Sequence, residues 1–276
     1  MNTYAVVIVA YNPDERIFLS VKKLNEIDSV DKIYIVDNTP RGNAEIGSYS
    51  EKIVYIPLFK NKGIAAAQNI GLDRAGIDGY AWAMTLDQDT IIENGLLIKY
   101  DEFIKRTDIS KIGLINTDYF DINSQRLKYD NKEMLFVDEV ISSGSFINLD
   151  VFKKVGKMDE RFFIDQVDNE YCYRLRKNGY SIVVLPGKGF EHRLGNIKQV
   201  SFGKSVIYTY NQPPIRVFYR TRNIILFIKK YHDRELRTKK LRELLKDFIR
   251  LWFEKKRIPK IFMYIKGIII GTVWRY

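Results

Sequence analysis

The chain has 276 residues, enough for one large α/β domain or one domain with an appendage. Its 46% apolar and 29% charged residues suit a globular protein. The single cysteine, Cys172, excludes an internal disulfide and a cysteine-based zinc site, and points to a reducing compartment. With 45 Lys and Arg against 34 Asp and Glu, the net charge is +11. The basic residues crowd in from Arg216 onward, which suits nucleic acid, anionic lipid or phosphorylated substrates. No stretch reaches the ~18 consecutive apolar residues of a membrane span.

The first residues show no basic n-region and no cleavage segment. Residues 3–10 form a near-continuous apolar and β-branched run, which predicts a strand buried on both faces in a parallel sheet. Tyr11-Asn12-Pro13 breaks the run. Ile17, Leu19, Val21, Leu24 and Ile27 then give residues 14–27 an amphipathic helical pattern. A second strand over 32–36 stops at Asp37-Asn38-Thr39-Pro40. A third over 53–58 precedes Asn61-Lys62-Gly63, which turns into an alanine-rich helix over 64–75. The fourth strand covers 80–86. This alternation predicts a doubly wound α/β sheet, in which ligands sit at the carboxyl ends of strands near a topological switch. Three of those ends carry polar side chains: Tyr11 and Asn12, Asp37 and Asn38, and Asp87 and Asp89.

Further along, the pattern predicts a helix over 95–105 and strands over 112–116 and 134–140. Ser142-Ser143-Gly144-Ser145 leads into a strand over 146–149. Asp150 is expected to cap a helix over 151–155 that Gly156 ends. A helix over 170–177 follows, then a strand over 180–185 closed by Pro186-Gly187, then a loop holding Glu191-His192-Arg193. From Pro214 the reading is helical, over 215–231, 234–254 and 258–274. A composition shift near Gln212-Pro213-Pro214 divides the chain into a domain over 1–212 and a basic helical region over 213–276.

The stretch from Tyr80 to Thr90 is an apolar strand ending in Asp87 and Asp89. If the strand continued, both carboxylates would point to one face. There they repel unless a cation stands beside them. A divalent cation holding a phosphate meets that need; a solvated acidic turn is the other reading. Asp165, Asp168 and Glu170 form a second acidic cluster before a basic helix. It reads as helix capping or, with Phe162, Phe163 and Ile164 as an apolar wall, as the site of a general base. His192 would complete a mixed oxygen and nitrogen site suited to manganese or magnesium; an ordinary surface or core imidazole is the alternative. Asn61-Lys62-Gly63 through Asn69-x-Gly71 reads either as a diphosphate contact at a helix N-terminus or as a tightly packed, capped helix. It matches neither a P-loop nor a Rossmann fingerprint. Residues 244–276 mix aromatic and aliphatic side chains with Lys and Arg at helical spacing. That suits an anionic membrane surface, a helix packed on the catalytic domain, or a homodimer contact. No nucleic-acid recognition motif accompanies the charge.

In order and spacing these residues resemble the family 2 glycosyltransferases, and among them the bacterial rhamnosyltransferase-like enzymes, over about residues 3–200. The resemblance rests on Val-Ala-Tyr-Asn at 9–12, Val-Asp-Asn-Thr at 36–39, Asn-Lys-Gly-Ile-Ala-x-Ala-x-Asn-x-Gly at 61–71 and Leu-Asp-Gln-Asp at 86–89. It continues with Ser-Gly at 143–144, Val-Gly-x-Met-Asp-Glu-x-Phe-Phe-Ile-Asp at 155–165, Val-Asp-Asn-Glu-Tyr-Cys-Tyr-Arg-Leu-Arg at 167–176, and His192.

What the resemblance implies is a GT-A fold, with a nucleotide-sugar half over about 1–110 and an acceptor half over about 111–212. It also implies a dTDP- or UDP-type sugar donor and an inverting single displacement without a covalent intermediate. It assigns Ala10, Tyr11, Asn12, Asp37, Asn38, Asn61, Gly63, Asn69, Asp87 and Gln88 to the donor. Tyr11 would stack near the base, Asp37 bond its imide edge, and Asp87 and Asp89 lie at the ribose and the metal. Asp89 and His192 would ligate Mn2+ or Mg2+, and Asp168 would be the general base. Ser143, Gly144, Asp165 and Glu170 would lie on the acceptor side. The Phe163-Ile164 step departs from the acidic pair more usual before the base. The expected reaction moves L-rhamnose, or a similar deoxysugar, to a polyprenyl-linked or polysaccharide acceptor in cell-surface glycan synthesis. The expected place is the cytoplasmic face of the plasma membrane. A sugar nucleotidyltransferase would want a phosphate-gripping basic loop near the first strand, which Tyr11-Asn12-Pro13-Asp14 does not supply. A non-catalytic nucleotide-sugar or membrane-binding module would not need both acidic clusters and His192.

Overall fold

The computed structural model describes residues 2–192, 198–202 and 205–274. They form two compact units: Met1–Arg161 with Val167–His192, and Phe162–Gln166 with Arg193–Tyr276.

The first unit is built on β1 (Tyr4–Ala10), whose Val6, Val7 and Ile8 side chains are buried, so that both faces of the strand are covered. It pairs in parallel with β2 (Val30–Asp37) on one side and β4 (Trp82–Asp87) on the other. Outside β2 lies β3 (Ile53–Pro57), also parallel. Beyond β4 the order continues with the antiparallel β9 (Ser145–Asn148), then β6 (Ile112–Asp121), β10 (Ser181–His192) and the edge strand β5 (Ile91–Ile92). Two short strands finish the sheet: β7 (Arg126–Leu127) on β6 and β8 (Leu135–Phe136) on β10. The chain winds outward from β1 to β3 and then crosses back to β4, so the topological switch lies between β1 and β4. The expected α/β sheet of GT-A type is the one observed.

Its helices are α1 (Arg16–Asn25), α2 (Ala44–Ser48), α3 (Ile64–Ile77), α4 (Leu96–Arg106), α5 (Leu149–Val155) and α6 (Val167–Lys177). Helix α3 buries most of its surface, and its small residues let it lie close on the sheet. A Cβ at Gly71 would stand 2.3 Å from Cγ1 of Val7 on β1. A second close approach fixes the entry to β9. Gly144 has φ +74°, and a Cβ there would lie 2.3 Å from the Phe190 ring, so only glycine fits.

Several boundaries differ from those expected. β10 does not stop at Pro186-Gly187 but runs on to His192. Its register against β6 slips between Leu185 and Lys188 and again between Lys188 and Phe190, so the dipeptide is a bulge and not a terminator. His192 therefore ends a strand and does not sit in a loop; Arg193 lies outside the described residues. β6 extends to Asp121 because its polar residues are bonded. Asn116 Nδ2, for example, donates to the carbonyl oxygens of Ile141 and Ser143 at 3.2 and 3.3 Å. The strand expected over 134–140 shrinks to β8. Asn148, and not Asp150, caps α5: its Oδ1 accepts from the N–H groups of Asp150 and Val151 at 3.1 and 3.2 Å. α6 begins at Val167, which puts Asp168 in its first turn.

The second unit contains the hairpin β11 (Lys198–Phe202) and β12 (Ser205–Thr209), which sequence patterning missed. Three helices follow: α7 (Pro214–Tyr231), α8 (Arg234–Leu251) and α9 (Arg257–Val273). Val217, Ile224, Leu244, Leu251 and Tyr264 form their shared core. Gly267 and Gly271 bring α9 against the backbone of α7, where built Cβ atoms would stand 2.9 Å from the Phe218 oxygen and 3.0 Å from the Arg222 oxygen.

Gly71→Ala separates packing from helix propensity. Propensity alone favours alanine by about 1 kcal/mol; overpacking against Val7 costs about 1–3 kcal/mol. The variant is expected to unfold at lower urea concentration than the parent. A raised midpoint would contradict the contact of α3 with β1.

Candidate active site

The carboxyl ends of β1, β2 and β4 meet at the switch point. Ala10 stands opposite Asp37, and Val9 opposite Asp87. Beyond Ala10 the chain turns sharply, with Asn12 at φ +44°. The Tyr11 N–H donates to Oε1 of Gln88 at 2.7 Å, and the Asn12 N–H to Oγ1 of Thr39 at 2.8 Å. Tyr11 thereby exposes its ring beside the strand ends. Asp37 is fully buried. Its Oδ1 accepts from the Thr39 N–H at 2.8 Å and its Oδ2 from the Tyr55 hydroxyl at 2.7 Å. Burial, with the Asp37 carboxylate alongside, raises the Tyr55 hydroxyl above its ordinary pKa. Asn38 is buried and ties down the turn before α3: Oδ1 accepts from Lys62 and Nδ2 donates to the Gly63 oxygen. Asn61 accepts from the Gly63 N–H at 2.9 Å, and Gly63 itself adopts φ +88°.

Asn69 faces elsewhere. Its side chain exchanges two 2.9 Å hydrogen bonds with the Met158 backbone and donates to Glu160 Oε1. It clasps the segment before the second acidic cluster, and lies away from the strand-end groups in its bonding.

Asp87 ends β4, and Asp89 lies just beyond the strand. Ser143 is buried behind them. Its Oγ accepts from the Asp87 N–H at 3.2 Å and shares a 2.6 Å hydrogen bond with Thr90 Oγ1. The Gly144 oxygen accepts from the Tyr100 hydroxyl at 2.6 Å. Ser143 and Gly144 thus brace the acidic turn from the core side. Asp89 pairs with Arg16 at 3.6 Å, and Asp87 Oδ2 stands 3.9 Å from His192 Nδ1. That nitrogen is buried and has no hydrogen-bond partner. An unpaired buried nitrogen beside a carboxylate is a polar atom with a position to fill. Among the described residues no group of three or more His, Cys, Asp or Glu side chains gathers to hold a metal alone. A cation such as Mg2+ does not need one, because it binds through one or two carboxylates plus substrate phosphates.

Asp168, in the first turn of α6, is half-buried, and its Oδ1 accepts from the Asn169 N–H at 2.9 Å. It belongs to the surroundings of Tyr119 on β6, whose hydroxyl is raised by burial and then by the charges of Tyr129, Asp121, Asp118 and Asp168. The same Tyr119 ring meets His192 edge to face, with ring centroids 6.0 Å apart. Tyr119 therefore packs against the imidazole and lies within electrostatic reach of the base candidate. Sequence reading missed it, although an aromatic residue after the polar run Asn116-Thr117-Asp118 marks a strand that outlasts its apolar stretch.

The other two acids of that cluster are committed. Glu170 is fully buried and grips Arg174 through both oxygens at 3.0 Å, while Arg174 also donates to the carbonyl oxygens of Val155, Gly156 and Lys157. Asp165 belongs to the second unit, where Arg216 holds both its oxygens at 2.6 and 2.8 Å. Around it Phe163, Asp165 and Gln166 adopt φ of 59°, 65° and 65°, a conformation that disfavours residues with a Cβ. Asn223 Nδ2 lies 2.5, 2.7 and 2.9 Å from the oxygens of Phe162, Ile164 and Asp165 and holds the segment there.

A doubly wound sheet with polar strand ends converging at its switch point is an α/β architecture of GT-A type, in which ligands sit at that switch point. The family model for glycosyl transferase family 2 matches residues 5–139. The chain is also 33% identical, over 257 aligned residues, to the dTDP-rhamnosyl transferase RfbF of Shigella flexneri, covering 84% of this chain and 81% of that one. The chain belongs to glycosyl transferase family 2. Among solved structures it resembles S. aureus TarS, with a TM-score of 0.62 and 16% identity over 99% of this chain and 49% of TarS. It also resembles GalNAc-T7 bound to UDP, GalNAc and Mn2+, with a TM-score of 0.59 and 12% identity over 85% of this chain and 49% of that one. This chain thus spans about half the length of both, and the likeness is one of fold.

Glu170→Gln tests whether this acid holds the scaffold. Removing one partner of a buried pair costs about 3 kcal/mol or more, so the denaturation midpoint is expected to fall clearly while turnover per folded molecule stays within a few-fold. Unchanged stability with lost acceptor affinity would place Glu170 at the substrate instead.

Proposed function

We propose that this chain is an inverting, metal-dependent glycosyltransferase that moves L-rhamnose from dTDP-L-rhamnose to a hydroxyl of a polyprenyl-linked or polysaccharide acceptor in cell-surface glycan synthesis. The observation that carries the proposal is the 33% identity to a dTDP-rhamnosyl transferase along 84% of the chain. The strand-end chemistry supports it. Tyr11 offers an exposed aromatic face for the base. Asp37 retains acceptor lone pairs toward an imide N–H after meeting Thr39 and Tyr55. Asn12, Gln88 and the turn from Asn61 to Gly63 shape the surroundings of the diphosphate.

Asp89 and His192 would hold Mn2+ or Mg2+ together with the donor diphosphate, with Asp87 3.9 Å from the imidazole. The bound cation supplies charge neutralisation for the departing diphosphate. The lone His192 nitrogen and its carboxylate neighbour fit that donor set. Asp168 accepts the proton of the acceptor hydroxyl as that oxygen attacks the anomeric carbon. The new glycosidic bond forms on the face opposite the breaking bond to the diphosphate, so dTDP leaves and the configuration inverts. Ser143 keeps the acidic turn in place from behind. We assign Asp165 to holding residues 162–166 within the second unit, through Arg216, and Glu170 to holding α6, through Arg174. The proposed working place is the inner face of the plasma membrane; no described helix is long and apolar enough to cross it.

Asp168→Asn is expected to lower turnover by about 10²–10⁴-fold and to leave donor affinity within a few-fold, measured by calorimetric titration with dTDP-L-rhamnose. Normal turnover would remove Asp168 from the role of base. Chelation by EDTA and the change Asp89→Ala should each weaken donor binding in a thermal-shift titration with Mn2+. A donor affinity indifferent to both would remove the metal from the mechanism.

A further inference from the structure

Helix α9 has two opposite faces. Lys260, Tyr264, Gly267 and Gly271 are buried and recur at helical spacing, with both glycines set against α7. Ile258, Phe262, Ile265, Ile269 and Val273 recur on the other side and are 49–77% exposed. Helix α8 repeats the arrangement. Leu236, Leu244 and Leu251 turn inward, while Leu241, Leu245, Ile249 and Trp252 are 45–61% exposed. Scattered apolar residues on a surface need no explanation, but two continuous helical stripes do.

The charges around these stripes are sorted by sign. From Arg234 to Trp274 the acids are Glu235, Glu243, Asp247 and Glu254. Three of them are used inside the unit. Glu243 pairs with Arg220 and Lys240, Asp247 with Arg220 and Arg250, and Glu254 with Lys260. Burial opposes ionisation of Glu243, but the Lys240 and Arg220 charges win and hold its carboxyl below the usual range. Only Glu235 is left exposed, in the first turn of α8. The basic side chains are distributed the other way. Arg242 and Lys246 flank the α8 stripe, Lys255, Lys256 and Arg257 fill the turn between the helices, and Lys266 borders the α9 stripe, all exposed.

We propose that the outward faces of α8 and α9 are a docking surface for an anionic lipid bilayer, with the apolar stripes in the interface and the Lys and Arg side chains on lipid phosphates. Charge complementarity selects this occupant. A second copy of the chain in a two-fold contact would oppose one basic face to another with almost no exposed acid to pair with it. An anionic bilayer satisfies both components, apolar area and positive charge. α9 has 17 residues, and no described helix is long and apolar enough to span a membrane; the two-faced pattern of α9 instead suits a helix lying in the interface. The surface extends the reading of a lipid-linked acceptor without depending on it.

The test is flotation of the full chain with vesicles of phosphatidylcholine alone and vesicles containing phosphatidylglycerol, without donor or acceptor, so that failure of the transfer reaction cannot affect it. The parent is expected to float with the anionic vesicles and to be released by high salt. The triple change Phe262→Ser, Ile265→Ser and Ile269→Ser should weaken partition by about tenfold or more, from the apolar area lost. Lys255→Glu with Lys256→Glu should weaken it separately. Absence of the parent from both floating fractions would overturn the proposal, as would binding that neither variant reduces. A dimer in sedimentation equilibrium that the serine changes dissociate would also overturn it, by assigning the face to a second copy.

Discussion

The candidate site depends on β1 being paired in parallel on both sides. That pairing makes β1 the switch point of the sheet, and it brings Ala10, Asp37 and Asp87 to one edge from three separate strands. It requires an adjacent helix that approaches without bulk, which Gly71 allows. It also requires a prop behind the acidic turn, which buried Ser143 provides through Asp87 and Thr90. The prop is in turn fixed by Gly144 lying against the Phe190 ring. Strand β10, which carries Phe190, then continues to His192. One packing chain thus connects the acid end of β4 to the imidazole at the end of β10.

Much of this could be read in the sequence where the cause is local. The run over 3–10 and its polar successors mark a buried strand and its exposed end without reference to any partner. The acidic pair stands out because it ends an apolar stretch. What could not be read has a distant cause. Pro186-Gly187 looks like a stop, and only the neighbouring β6 turns it into a bulge with the strand intact. Asn69 looks like a ligand-facing residue of a helix start, but it binds the backbone of Met158, 89 residues away. Glu170 and Asp165 read as equals of Asp168 until Arg174 and Arg216 are seen to hold them. The family resemblance supplied the order of motifs, and the partners of each side chain had to come from the fold.

The segment before Asp168 belongs to the second unit. The chain leaves the first unit after Arg161 and rejoins it at Val167. Between those points three non-glycine residues hold left-handed backbone, which costs on the order of 1 kcal/mol or more each and persists only where the surroundings over-determine it. Within the second unit Asn223, Arg216 and Lys240 provide that restraint through carbonyl oxygens, the Asp165 carboxylate and the Gln166 amide. Phe163 stacks on Tyr219, at 4.9 Å between ring centroids, and so serves packing.

The most direct measurement is the position of the cation. A crystal grown with dTDP and Mn2+, measured for anomalous scattering from manganese, should show one strong peak within coordination distance of the diphosphate, Asp89 and His192 Nδ1, with Asp87 alongside. A peak at another place, or a bound diphosphate with His192 still unpaired and no peak beside it, would contradict the assignment of the β4 and β10 strand ends to the leaving group.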